Sequence, residues 1–254
     1  MLEVAEGVLV ATSRIMSTTS TVLHRDGEAL LVDPAWLPDE LDALADELDA
    51  RGLRVIAGFA THAHHDHLLW HPRFGSAPRW ASPATAALAR DQRATLVEQL
   101  GDGFPEHLVD LMGRVDGTDA ALPRTAVPRG FAPQLVVHDG HAPGHTAVWL
   151  PEQRVLIAGD MLSDLELPLP FDPDDLPAYL AALDQLAPFV AQAALVIPGH
   201  GTPGPDAAAR LAADRRYLDD VVAGRGARDP RLANPGMHEE YEHLQRMVAG
   251  HREA

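Results

Sequence analysis

Apolar and polar positions alternate in short runs through the first part of the chain. Residues 7–12 (Gly-Val-Leu-Val-Ala-Thr), 20–24 (Ser-Thr-Val-Leu-His) and 29–33 (Ala-Leu-Leu-Val-Asp) are partly β-branched and bounded by turn residues, which predicts strands. Asp26-Gly27 separates the last two and signals a hairpin, so the opening predicts a β-meander. The period then lengthens. Pro38-Asp39-Glu40 places acidic residues in a first helical turn, Leu41, Leu44 and Leu48 follow at helical spacing, and Gly52 fits the stop. Residues 54–60 (Arg-Val-Ile-Ala-Gly-Phe-Ala) return to a continuous apolar run and predict a strand that crosses a core.

Residues 79–82 predict another short strand, and Pro83-Ala84 opens a helical stretch. Leu88, Leu96, Val97 and Leu100 are its apolar members, and Leu108, Val109, Leu111 and Met112 form a second pattern. Residues 83–120 are therefore read as a helical insertion. Two placements are open for it, as a cap over a site or as packing against the outer face of a sheet. Strands are expected at 134–139, 146–150, 154–158 and 194–197, and a helix at 178–187. The four prolines between 168 and 177 preclude regular structure there. From Pro205 the pattern is helical, with stripes at Leu211, Leu218, Val221 and Val222 and at Tyr241, Leu244, Met247 and Val248. These helices are expected to cover the second layer.

The candidate chemistry follows the strand at 54–60. Thr61-His62-Ala63-His64-His65-Asp66-His67 holds four imidazoles and one carboxylate in seven residues. The carboxyl end of a strand is where α/β sheets bind ligands. His62 and His64 share a face in extended chain, and the set suits a borderline divalent ion such as zinc. Further along stand Pro143-Gly144-His145-Thr146, Ala158-Gly159-Asp160 and Pro198-Gly199-His200-Gly201, and upstream stands Ala29-Leu30-Leu31-Val32-Asp33-Pro34.

Taken in order, these segments resemble the signatures of the metallo-β-lactamase superfamily over roughly residues 7 to 204. The resemblance implies an α/β fold, a four-layer αββα sandwich, formed by a single domain over 1–254, with the insertion at 83–120 and C-terminal helices over 205–254. It implies that His62, His64 and His145 hold one metal, that Asp66, His67 and His200 hold a second, and that Asp160 bridges them. Two zinc ions are expected, with iron or mixed metals as the alternative. Asp33 is expected to support the site from behind. His65, His71, His138 and His141 are read as surplus to the ligand set. Trp70, Leu167 and Leu169 are weak pointers to a substrate pocket.

Composition narrows the chemistry. There is no cysteine, so thiolate ligands, a cysteine nucleophile and disulfides are excluded. The formal net charge is −17 and all 20 basic residues are arginine. Such a surface repels nucleic acid, and no basic patch compensates. No segment approaches the roughly 20 apolar residues of a membrane span, and the amino terminus does not read as a signal peptide. A cytoplasmic protein acting on a small molecule, with no nucleic-acid or membrane partner, is expected.

The implied activity is metal-dependent hydrolysis of an ester, thioester or lactone, with a metal-bound hydroxide as nucleophile and Asp66 assisting. Gly-x-Ser-x-Gly is absent, against a serine hydrolase. The alternatives are a persulfide dioxygenase-like oxidoreductase with one iron on His62, His145 and Asp160, and a β-lactam hydrolase or phosphodiesterase.

Overall fold

A computed structural model describes residues 1–119, 121–170 and 173–253. The opening forms strands β1 (Leu2–Ala5), β2 (Val8–Thr12), β3 (Thr19–Arg25) and β4 (Glu28–Val32), paired antiparallel in sequence order. Asp26 and Gly27 both take positive φ, 52° and 79°, as the tight turn between β3 and β4 requires. Helix α1 (Pro38–Ala50) then carries the chain over to β5 (Arg54–Phe59), which lies parallel to β4. Two short parallel strands, β6 (Arg79–Ala81) and β7 (Asp116–Gly117), complete this sheet. Between them run α2 (Pro83–Asp91), α3 (Arg93–Gln99) and α4 (Glu106–Val109), the expected insertion. Its last residue, Ala120, lies outside the described residues.

The second sheet comprises β8 (Gln134–His138), β9 (His145–Leu150), β10 (Val155–Gly159) and β11 (Leu195–Pro198), in the spatial order β11-β10-β9-β8. Helix α5 (Leu176–Val190) joins β10 to its parallel neighbour β11. Helices α6 (Ala207–Val222) and α7 (Met237–Glu253) follow.

Alternation along the strands builds the four layers. Val8, Val10, Leu30, Val32 and Phe59 of the first sheet meet Val148, Leu150, Val155, Ile157 and Ile197 of the second in one buried cluster. The residues between them point outward. Leu9, Val22 and Leu31 pack with Leu41, Leu44 and Leu48 of α1, and Ala147, Trp149, Leu156 and Ala158 pack with Leu183 and Leu186 of α5 and Leu218 of α6. Each sheet thus has one face on the other sheet and one face on helices, the αββα sandwich. Each fully buried aliphatic side chain contributes roughly 1.5–3 kcal/mol of transfer free energy. The C-terminal helices belong to the outer layer, with Leu244 and Met247 in the same cluster as α5 and α6. No helix among the described residues is long and apolar enough to cross a membrane.

The two halves are tied together where the chemistry lies. The Thr19 amide donates to Gly199 O at 2.7 Å, Thr19 Oγ1 donates to Pro198 O at 2.6 Å, and Thr146 N donates to Thr61 O at 2.8 Å. The start of β3 is thereby fixed to the end of β11, and the histidine loop to β9.

Candidate metal centre

The titratable side chains converge from the ends of four strands. His62, His64, Asp66 and His67 leave β5, His141 sits in the loop after β8, Asp160 follows β10 and His200 follows β11. They form two groups. One ligating atom from each of His62, His64, His141 and Asp160 lies within 4.8 Å of the others, and the same holds for Asp66, His67 and His200. Asp160 reaches into both. Its Oδ2 is 3.3 Å from His62 Nε2, 3.4 Å from His141 Nε2 and 3.2 Å from His200 Nε2, and its Oδ1 is 3.2 Å from His67 Nε2.

Outward hydrogen bonds fix which ring nitrogen faces in. His67 Nδ1 is 3.1 Å from the Asp33 carboxylate, His141 Nδ1 is 3.1 Å from Leu169 O, and His200 Nδ1 is 3.2 Å from Met16 O. Those partners only accept, so each Nδ1 carries a hydrogen and donates it. Thr61 Oγ1 donates to Asp33 at 2.7 Å and so accepts from His62 Nδ1 at 2.9 Å. In the neutral rings, Nε2 of His62, His67, His141 and His200 therefore turns a lone pair inward. His67 Nε2 and His200 Nε2 stand 3.3 Å apart, and His62 Nε2 and His141 Nε2 stand 3.0 and 3.1 Å from His64 Nδ1. Asp160 Oδ1 is buried with no hydrogen-bond partner. Facing lone pairs and an orphaned buried oxygen are what divalent cations satisfy, with outward partners orienting each imidazole.

The electrostatics agree. Burial lowers the pKa of His62 and His145, and that of His141 to about 3, so these rings stay neutral. Burial acts in the same sense on His67 and His200, but the charge of Asp160, joined by Asp66, outweighs it and raises both, His200 to about 10. Burial opposes ionisation of Asp66 and Asp160, yet the surrounding imidazoles hold both below the usual carboxylate range. The carboxylates draw protons to the positions where cations would bind, and protons and metal compete for such ligands.

The structure reverses one pair of expectations. His141, expected to be a bystander, joins the first group, and His145, expected as its third imidazole, does not. His145 opens β9 and pairs with His138 across the β8–β9 ladder. Its Nε2 accepts the Asp160 amide at 3.0 Å, and its ring stacks between His62 and His138, with centroids 4.9 and 4.7 Å away. That geometry also removes His145 from the alternative centre of His62, His145 and Asp160. A side chain at position 159 would lie 2.4 Å from His145 Nε2, and Gly159 has φ 54°, so only glycine permits this turn into Asp160.

Other expectations resolve individually. Asp33 accepts from the Thr61 amide at 2.8 Å as well as from His67 and Thr61 Oγ1, which places it behind the site. Trp70 does not line the cavity above the ligands. It is buried in the core, its Nε1–H donates to Gly75 O at 3.2 Å, and its ring fills the space left by the missing side chain of Gly58. Leu167 likewise packs into the helical layer behind the second sheet, whereas Leu169 does line the cavity. His71 is buried and lies 3.2 Å from Asp42, away from the ligands. His65 lines the cavity and packs edge-on against Trp36 at 5.0 Å. Cavity residues that sequence reasoning did not single out include Met16 in the β2–β3 loop, Gln92, Thr95 and Gln99 at the insertion, and Glu166. Burial and the negative charges of Asp160 and Asp66, partly offset by His200, push the Glu166 carboxyl up to about 7.

Residues 14–200 match the family model described as the metallo-beta-lactamase superfamily. The chain belongs to that superfamily. It is 27% identical over 183 residues to a Bacillus subtilis (strain 168) protein named "Probable metallo-hydrolase YflN", covering 65% of this chain and 67% of the relative. It is 32% identical over 143 residues to a hydroxyacylglutathione hydrolase of Methylobacillus flagellatus, covering 56% of this chain. The chain spans less than half of that enzyme, 46% of its length. Among solved structures, a metallo-beta-lactamase family protein of Thermus thermophilus superposes with a TM-score of 0.65 at 22% identity, over 97% of this chain and 90% of that one. The superfamily fold and a His/Asp metal-binding cluster of the metallo-hydrolase kind are therefore established.

Proposed function

We propose that the protein is a dinuclear zinc hydrolase acting on a small carboxylic ester, thioester or lactone. The observation that carries this is the position of Asp160, whose carboxylate meets inward-facing imidazoles of both groups. His62, His64 and His141 would hold one ion, Asp66, His67 and His200 the other, and Asp160 both. Bound ions of this kind polarise a carbonyl oxygen and lower the pKa of water to about 7.

The chain's own residues supply the rest. Asp33, Thr61, Leu169 O and Met16 O hold the imidazoles in one tautomer and orientation, which keeps the centre preorganised. Asp66 lines the cavity with Oδ1 3.8 Å from His65 Nδ1, and its Oδ2 receives the Thr18 hydroxyl at 3.3 Å. It is the carboxylate placed to orient water or a departing group. The hydroxyacylglutathione hydrolase relative supports carbonyl hydrolysis as the reaction class.

Zinc-loaded protein is expected to hydrolyse at least one class in a panel of small esters, thioesters and lactones. A chelator should abolish turnover and added zinc restore it. Absence of turnover across the panel in zinc-loaded protein would refute the proposal.

A further inference from the structure

The cavity over the ligands is small, about 260 Å³, below the usual 300–1,000 Å³ of small-molecule pockets. Beyond the ligands its described lining is polar on one side, with Thr95 and Gln99 of the insertion helix α3 and Gln92 at its start, and apolar at Met16, Leu96 and Leu169. No arginine is among the described lining residues. The charged exception outside the ligand set is Glu166.

Glu166 is held by its backbone and not by its carboxylate. Its amide donates to Ser163 Oγ at 2.9 Å, and its carbonyl accepts from Arg231 Nη1 at 2.9 Å. Arg231 is itself buried and fixed by Asp214 and Asp229 at 2.7 and 2.9 Å. Ser163 Oγ in turn donates to His200 O at 2.6 Å, which joins this turn to the ligand loop. No described residue hydrogen-bonds the Glu166 carboxylate. The arrangement is a rigid mount for one carboxyl group at the wall of the cavity, which cations bound at the neighbouring histidines and aspartates would hold in its ionised form, with no arginine beside it in the described lining.

We propose that Glu166 is the charge-selecting residue of the pocket, favouring a small substrate that carries a positive charge and disfavouring an anionic one. The inference rests on the hydrolase reading of the same site. It departs from what the hydroxyacylglutathione hydrolase relative would suggest, because glutathione thioesters are large and anionic. A unit charge several ångströms from a substrate charge, at the effective dielectric of a protein surface, changes affinity on the order of tenfold or more.

Binding by three hydroxamates of matched size tests it, since hydroxamates chelate metal and need no turnover. They are trimethylammonioacetohydroxamate, its neutral isostere 3,3-dimethylbutanohydroxamate, and the monohydroxamate of succinate. Titration calorimetry is done on zinc-loaded wild type, Glu166→Gln and Glu166→Asp. The ratio of cation to anion affinity should fall about tenfold in Glu166→Gln and persist in Glu166→Asp. An unchanged ratio in Glu166→Gln overturns the inference. Should Glu166→Gln fail to fold, the wild type decides: the cation must bind more tightly than its neutral isostere, and equal or weaker binding overturns the inference. If the ratio falls but no ester, thioester or lactone is turned over, charge selection stands and the hydrolase reading falls. Turnover with an unchanged ratio leaves the hydrolase reading standing and overturns charge selection.

Discussion

His141→Ala is expected to strip one metal ion from the protein, while His145→Ala keeps both. His141 Nδ1 is committed to Leu169 O, and its Nε2 faces His64 and Asp160. Removing it leaves the first group with two imidazoles and one carboxylate, and affinity for that ion should fall more than the roughly 10–100-fold typical of losing a mere supporting partner. Metal content should drop from about two ions per chain to about one, with hydrolysis lost in proportion. His145→Ala removes a buried ring stacked between two others and leaves the Asp160 amide unpaired. It should cost about 3 kcal/mol of stability, read by denaturant titration, without loss of metal. Metal lost from His145→Ala and retained by His141→Ala would reverse the assignment.

Asp160→Ala is expected to have the larger effect on activity. Its carboxylate lies within 3.4 Å of imidazole nitrogens from both groups. Without it, Asp66 is the one carboxylate left within the two groups to offset the charge of two ions. Metal content should fall to one ion or fewer. Turnover of the best panel substrate should fall at least about a hundredfold, a loss of roughly 3 kcal/mol in transition-state stabilisation. Asp160→Ala protein that keeps two ions would show that Asp160 does not bridge them.

Most of the sandwich was legible because alternation survives in strands with two differently covered faces. Val8 and Val10 face the other sheet while Leu9 faces α1, and that is a period of two in plain sequence. Strand β1 was not foreseen. It is an edge strand whose Leu2 is exposed, so no burial pattern marks it.

The residues that the structure gathers into the two groups were legible except at one position, and the reason is local. The chain contains two Gly-His pairs four residues apart, Gly140-His141 and Gly144-His145. The flanking Pro143 and Thr146 point to the second as the motif. What decides between them is where β8 ends and β9 begins. Every other member of the two groups follows the carboxyl end of a strand, and so does His141, whereas His145 is the first residue of one. The boundaries expected at 139 and 146 lie within one residue of those observed, so the choice turns on whether His145 itself opens β9, a finer distinction than an apolar pattern resolves. Trp70 misled for the opposite reason. It neighbours the ligands in sequence, but the slot over Gly58 takes its ring into the core, a contact that depends on tertiary packing. Leu167 and Leu169 lie two apart in a proline-rich loop, where no regular period tells which one faces the cavity.

The central claim is that this chain builds a two-metal centre from His62, His64, His141, Asp66, His67 and His200 around Asp160. Elemental analysis of untagged protein, incubated with excess zinc and then desalted without chelator, tests it most directly. The geometry predicts about two zinc ions per chain. One ion or none under the same conditions would contradict it.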